Sequence, residues 1–291
     1  MHWLPLALLS AFSLASSDAV TKRYLSELRA GDLAFARFVW TGLLMLPALV
    51  LAPSLDLPAA LWAKIAVAVP LELLAMVMYM SAIREAPLSL TLPYLAFTPA
   101  LTVFTGYLIL GETVSLRGVI GILLVVAGAW LLNLPLRNRP ADFRWWSPFH
   151  AMVHQRAARL MLGVASIYAV TAALSKSVLE HGPALTVGPL YFLCVGMGAL
   201  LLGLIRAPTN SLKALAYRPG WGLLAGLFMA GMIFSHFLSI GQVEAAYMIA
   251  VKRTSLLFGM LYGALWFGES GLAAKMAAGG LMIAGVFMVV G

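Results

Sequence analysis

Charge is scarce in this 291-residue chain, and negative charge scarcest: 19 Lys and Arg against 11 Asp and Glu, together 10% of residues. A soluble domain carries about 25% charged residues, so there is too little charge here to cover an ordinary water-facing surface. Cysteine is almost missing. The one copy, Cys194, lies inside an apolar run, which excludes an intramolecular disulfide. No paired nucleophile and base, no metal motif and no glycine-rich phosphate loop is visible, so the machinery of hydrolytic and group-transfer enzymes is lacking. His150 and His154 have i, i+4 spacing, but only Asp142 accompanies them in that stretch. No metal site is expected from such a set, and no cofactor.

What is present in quantity is apolar sequence: 62% of residues, with a mean hydropathy of +0.95. A spanning helix needs about 20 apolar residues. Runs bounded by Gly, Pro or charge give ten such helices, at about 3–21, 33–52, 62–83, 88–110, 114–134, 159–179, 185–205, 221–241, 245–267 and 271–290. The start lacks a basic region, and its apolar stretch continues to Lys22 and Arg23, so it reads as a retained first helix. The net charge of +8 falls mainly in loops between apolar runs, which is membrane topology rather than nucleic-acid binding. The expected architecture is an all-α polytopic membrane protein, placed in a bacterial inner membrane.

A polar stretch rich in arginine (Arg137, Arg139, Arg144, Arg156, Arg159) separates five helices from five. The division is residues 1–134 as a first repeat, 135–158 as a connecting loop and 159–291 as a second repeat. The halves echo each other. Sliding by 157 residues sets Gly106 on Gly263, Gly111-Glu112 on Gly268-Glu269 and Ala127-Gly128 on Ala284-Gly285. Near the start of each half, Thr21-Lys22 matches Ser175-Lys176 at an offset of 154. Five helices per repeat is an odd number, so the second half must cross the membrane inverted. That plan is common in secondary transporters, with substrate held near the midplane between the halves. Counting Lys and Arg puts the side carrying Lys22, Arg23, Arg206 and Lys213 in the cytoplasm and both termini outside.

Specific motifs sharpen the class. Phe35-Ala36-Arg37-Phe38-Val39-Trp40 resembles the second helix of the drug/metabolite transporter superfamily. The stretch from Ala82 to Ser89, leading through Pro93 and Pro99 to Gly111-Glu112, also resembles that superfamily. The order, spacing and repetition of these motifs resemble the ten-helix EamA-type members over essentially the whole chain. The resemblance implies a secondary carrier with a central cavity between two five-helix halves, no cofactor and cytoplasmic termini, the reverse of the charge count. Val251-Lys252-Arg253-Thr254-Ser255 also resembles the ninth helix of plastid triose-phosphate translocators, whose Lys-Arg pair grips the substrate phosphate. Those relatives add a lysine in the fourth helix, and Leu88 to Leu110 contains none. A different or singly anchored anion is therefore open.

Lys252 and Arg253 are the leading site candidates. Each full charge within a spanning helix costs about 2.5–3.5 kcal/mol on insertion scales. They would contact substrate, form a structural ion pair, or, for Lys252, snorkel towards the interface. Glu72 lies mid-way along the third helix, as a partner for the pair or a carrier of a coupling proton. His236 is a second proton candidate against a packing role. Tyr94, Thr98, Tyr191 and Tyr247 are candidate cavity residues. Arg37, Glu112 and Glu269 are read as structural, and Lys22 and Lys176 as interface anchors. Pro70, Pro93, Pro99 and Pro189 are natural flexing points, while Gly222-x-x-x-Gly226 and Gly259-x-x-x-Gly263 permit close helix approach.

The function expected is movement of a small organic anion, phosphorylated or carboxylated, across the membrane by alternating access. Expected partners are that small-molecule substrate, membrane lipid and a coupling proton or exchanged anion. The alternatives are export of amino acids or amphipathic metabolites, and flipping of a lipid-linked phosphate.

Overall fold

The structure is a computed structural model and describes residues 2–51, 57–85, 92–132, 155–268 and 272–291. Glu269 and most of the Arg-rich connecting stretch, with His150 and His154, lie outside the described residues. Among the described residues the chain is helical throughout, without strands. The first half holds α1 (Trp3–Tyr24), α2 (Ala30–Val50), α3 (Ala59–Glu85), α4 (Thr98–Leu110, entered through a 3-10 turn at Leu92–Phe97) and α5 (Leu116–Leu132). The second holds α6 (Arg156–Ser177), α7 (Ala184–Arg206), α8 (Pro208–Ala216), α9 (Pro219–Ile240), α10 (Ala245–Lys252), α11 (Ser255–Phe267) and α12 (Leu272–Val290).

Seven segments are long and apolar enough to cross a membrane, with α10 and α11 counted together as one. Three shorter apolar helices, Tyr94–Leu110, Leu116–Leu131 and Met276–Val290, complete the bundle. Three features depart from the sequence reading. Among the described residues, the helix expected over 88–110 becomes a regular α-helix only at Thr98, after the 3-10 turn at Leu92–Phe97. The helix expected over 245–267 is interrupted at Arg253 and Thr254, and the stretch after Arg206 holds the short helix α8. The interruption has a local cause. Thr254 turns both its backbone N (2.9 Å) and its hydroxyl (2.8 Å) onto the Val251 carbonyl. A carbonyl so occupied tightens the turn and breaks the i to i−4 ladder.

Polarity runs inside-out relative to a soluble protein. Large apolar side chains face outward, among them Val50, Phe104, Ile205, Leu265 and Phe287, as hydrocarbon surroundings permit. The interior uses small residues. Ala7, Ser10, Ala11, Ser13, Ala15 and Ser17 of α1 are all buried, and Ser10 and Ser17 donate to the Met232 and Ala225 carbonyls of α9 at 3.2 and 2.9 Å. Helix association in lipid rests on this combination of small residues and interhelical hydrogen bonds.

The internal repeat has a structural counterpart. α4 and α11 start, end and cap at positions 157 residues apart, and Gly111 and Gly268 close them with φ of 67° and 63°. Helix pairing is symmetric under exchange of the halves: α1 packs on α9 as α6 packs on α3, and α4 on α6 as α11 on α1. Two pairs map onto themselves, α2 with α7 and α5 with α12. At the first, Gly42 meets its own repeat mate Gly196, where an added Cβ on Gly196 would come within 2.8 Å of the Phe38 carbonyl and 2.9 Å of Gly42 Cα. At the second, Gly285 faces the Gly121 carbonyl as Gly128 faces that of Ala278. These are also exchange-related contacts. Gly222 and Gly226 both pack on Trp40 of α2, an intramolecular use of that motif.

Gly196→Leu is expected to force the α2–α7 backbones apart and cost about 1–3 kcal/mol by overpacking. Gly280→Leu, where an added Cβ meets nothing within 4 Å, is the control. Thermal unfolding of the two variants in detergent checks this, and equal midpoints would show that the crossing is not under steric constraint.

Candidate functional site

The break between α10 and α11 fixes where the charged pair stands. Lys252 closes α10, whose free carbonyl ends favour cations, and Arg253 occupies the turn. Lys252 Nζ donates to Met232 Sδ of α9 (3.1 Å) and lies 3.3 Å from His236 Nδ1. His236 Nε2 lies 3.3 Å from Ser175 Oγ of α6. Arg253 has no hydrogen-bond partner for its buried Nε. Among the described residues neither cation is ion-paired. Glu72 of α3 is within electrostatic reach of Lys252 but takes its hydrogen bonds from hydroxyls, those of Thr171 and Tyr191, the latter at 3.5 Å. Snorkelling and a static ion pair are thus not the arrangement seen.

A second charged pair, not singled out in the sequence, faces the same interior. Arg37 of α2 donates to Asp18 of α1 at 2.6 Å and to Met229 Sδ of α9 at 3.0 Å, and its Nε is buried without a partner. The Tyr79 phenol of α3 and the Tyr168 phenol of α6 each lie within electrostatic reach of both Arg37 and Arg253. Lys252, Arg253, Glu72, Tyr79 and Tyr168 are surrounded by protein yet retain accessible surface, so they line an internal cleft.

The shape of that cleft can be followed along α1. Leu9 and Phe12 are exposed on one face. Asp18 points roughly 150° away at 100° per residue, and is 47% exposed on the inner side. On this inner face Ala7 and Ala11 are fully buried, Leu14 is partly covered, and Asp18 and Lys22 are open. The cleft therefore widens towards the Tyr24 end of α1. At the opposite end it is tied shut. Lys176 Nζ is ion-paired with Glu112 Oε1 and also donates to the Val243 carbonyl at 2.6 Å. Glu112 Oε2 accepts from the Ala245 amide at 2.9 Å, capping the start of α10.

The sequence candidates divide accordingly. Lys252, Arg253, Glu72, Tyr191 and His236 come together around the cleft. Tyr94 is fully buried against Trp130, and Thr98 bonds the Leu95 carbonyl at the start of α4. Tyr247 lies at the α5 entrance, 3.1 Å from the amide and hydroxyl of Ser115. These three are not brought to the cleft. Arg37 bonds a carboxylate rather than carbonyls or headgroups, and Lys176 an acid and a carbonyl rather than the interface. Lys22 lies over the Phe267 ring, 4.6 Å from its centroid. Asp18, Tyr79 and Tyr168 went unnoticed in the sequence. Asp18 carried a signal, a carboxylate within the first apolar run; the tyrosines carried none, since tyrosine is also common at interfaces.

A helical bundle built from two related halves, with an apolar exterior and a charged interior cleft, is the form of an integral membrane transporter. The chain belongs to the EamA-like transporter family, whose model matches residues 1–134 and 155–291, and with it to the drug/metabolite transporter superfamily. It is similar in fold to a solved crystal structure at a TM-score of 0.76, over 99% of this chain and 98% of that one, at 16% identity. No curated protein matches the sequence.

Removing either partner of the Lys176–Glu112 tie leaves a largely buried charge unsatisfied, at a cost of about 1–3 kcal/mol or more. Lys176→Met and Glu112→Gln are each expected to lower the unfolding midpoint, with the double variant less destabilised than the sum of the two. Strict additivity in this cycle would deny the tie.

Proposed function

We propose that this protein is a secondary transporter that carries a small organic anion, phosphorylated or carboxylated, by alternating access. The observation that carries the reading is the pair Lys252 and Arg253, two cations at a helix break inside the membrane that, among the described residues, have no carboxylate in ion-pair contact. Charge left unpaired there is otherwise costly. An oxyanion supplies what both side chains lack: Arg offers a planar fork and Lys a compact charge. Glu72 balances charge when the cleft is empty or carries a coupling proton, and His236 joins Lys252 to Ser175. The membrane is the bacterial inner membrane.

The transport cycle follows from the repeat. The Gly42–Gly196 and α5–α12 crossings both fall mid-helix, at separate places in the bundle. An axis through both runs across the helices, which supports ten spans in two inverted halves of residues 1–134 and 159–291, joined by 135–158. The cleft, open towards Tyr24 and tied at Lys176–Glu112, is then one of two facing states. The charge count makes the open side cytoplasmic. Alternation requires the tie to break and an equivalent closure to form at the Tyr24 end. Glu112 serves the closure at the tied end.

A second reading, an exporter of amino acids or amphipathic metabolites, draws on one observation. Among the described residues Glu72 takes its hydrogen bonds from hydroxyls, so the cleft also holds a carboxylate able to meet the ammonium group of an amphoteric amino acid.

The test is thermal stability of the purified protein titrated with inorganic phosphate, glycerol phosphate, acetate and glycine. A ligand bound by the folded state at 100 times its Kd raises stability by about 2.7 kcal/mol. Stabilisation by an anion in wild type, lost in Lys252→Ala and Arg253→Ala variants that remain folded, is the expected result. Stabilisation by glycine alone would move the assignment to the amphoteric reading. Unchanged anion effects in both variants would remove the pair from the site.

A further inference from the structure

Met229, Met232 and His236 stand at i, i+3 and i+7 on α9 and so form one stripe. Each thioether on that stripe accepts from a cation: Met229 Sδ from Arg37 at 3.0 Å and Met232 Sδ from Lys252 at 3.1 Å. A thioether is a weak acceptor. Each cation thus has a poor acceptor on α9, the two thioethers standing about one helical turn apart along the same face. The Tyr79 and Tyr168 phenols, within electrostatic reach of both Arg37 and Arg253, put the two stations in one neighbourhood. Arg37 is 7% exposed and has five donors, of which one meets a strong acceptor, Asp18. Asp18 is the more exposed partner of the two. It is 47% exposed and sits where the cleft is widest, so water can take over its solvation when it lets go.

Resting on the anion reading above, we infer that Arg37 is a second anion-binding residue of the cleft, held in the empty protein by Asp18 as an internal substitute. The substrate then carries two oxyanion groups. One is received by Lys252 and Arg253, and the other displaces Asp18 from Arg37. The guanidinium fork suits that exchange, since it accepts a carboxylate or phosphate edge in the geometry it already offers Asp18. The thioether of Met229 orients the fork without competing for the ligand. A mono-anion reaches the first station only and leaves the Asp18–Arg37 pair closed, which makes the pair a selector for doubly anionic substrates.

The experiment compares acetate with succinate in thermal-stability titrations of the purified full-length protein. Wild type is expected to be half-maximally stabilised by succinate at a lower concentration than by acetate. Asp18→Asn removes the internal competitor, and is expected to shift the succinate midpoint about tenfold lower while acetate hardly moves. Arg37→Gln is expected to abolish the preference for succinate and keep the acetate response. Arg37→Lys, which retains the charge without the fork, serves if the glutamine variant does not fold, and should lose most of the preference. An Asp18→Asn protein altered in unliganded stability with both midpoints unmoved would overturn the inference and leave Arg37 a structural ion pair. So would a succinate preference that survives in Arg37→Gln or, if that variant does not fold, undiminished in Arg37→Lys. Lys252→Ala separates the two levels of the argument: its effect on acetate tests the first station alone. If acetate and succinate both fail to stabilise wild type and Asp18→Asn, this inference falls; if inorganic phosphate and glycerol phosphate fail as well, the anion reading falls with it.

Discussion

Two glycines in backbone contact, Gly42 and Gly196, hold the architecture in register. A membrane helix pair gains little from excluding hydrocarbon, so its stability comes from close packing. Where the two backbones touch, no side chain stands between them to shift the crossing. Because the two residues are also repeat mates, the contact lies on the axis that relates the halves. The positions of α1 against α9 and of α6 against α3 follow from it. The cleft is the space left between those pairs, and the polar side chains of α1, α2, α3, α6, α9 and α10 face it because the outside is reserved for apolar residues.

Charge in such a setting has few places to go, and the molecule uses three solutions. Lys176 and Glu112 satisfy one another and two backbone groups, giving a closed and saturated cluster. Asp18 and Arg37 satisfy one another only in part. Lys252 is left on a thioether and an imidazole, and Arg253 has a buried Nε without a partner. The saturated cluster stands at the tied end of the cleft, the cation pair in its interior and the partly satisfied pair towards its open end. Degree of saturation distinguishes groups that hold the structure from groups that await a ligand.

Helix positions were legible to within a few residues because they depend on apolar run length, which any sequence displays. The duplication was legible from Gly111-Glu112 and Gly268-Glu269, since a left-handed helix end needs glycine at the first of each pair. The helix α8 escaped because nine residues containing Asn210 and Lys213 resemble a loop in hydropathy. The break at Arg253 escaped for a different reason: it depends on Thr254 turning its hydroxyl onto the backbone, a choice that threonine leaves open in most helices. For the site, Lys252, Arg253, Glu72 and His236 were visible as charges or titratable groups where none should be tolerated. Tyr94, Thr98 and Tyr247 were misdirected because composition does not reveal which side of a helix faces the interior. Asp18 lies close to Lys22 and was absorbed into the helix end, although the rule that flagged Glu72 applied equally to it.

The register of the repeat sets Leu95 and Ala96 opposite Lys252 and Arg253, so that pair has no counterpart in the first half. Had the halves remained identical, a conformation and its two-fold-related inverse would have had equal energies, and an unloaded molecule would have spent equal time in each. With the pair on one side of the dyad that degeneracy is lifted. The sequence itself then sets a resting preference between the two states, before any gradient acts on the protein.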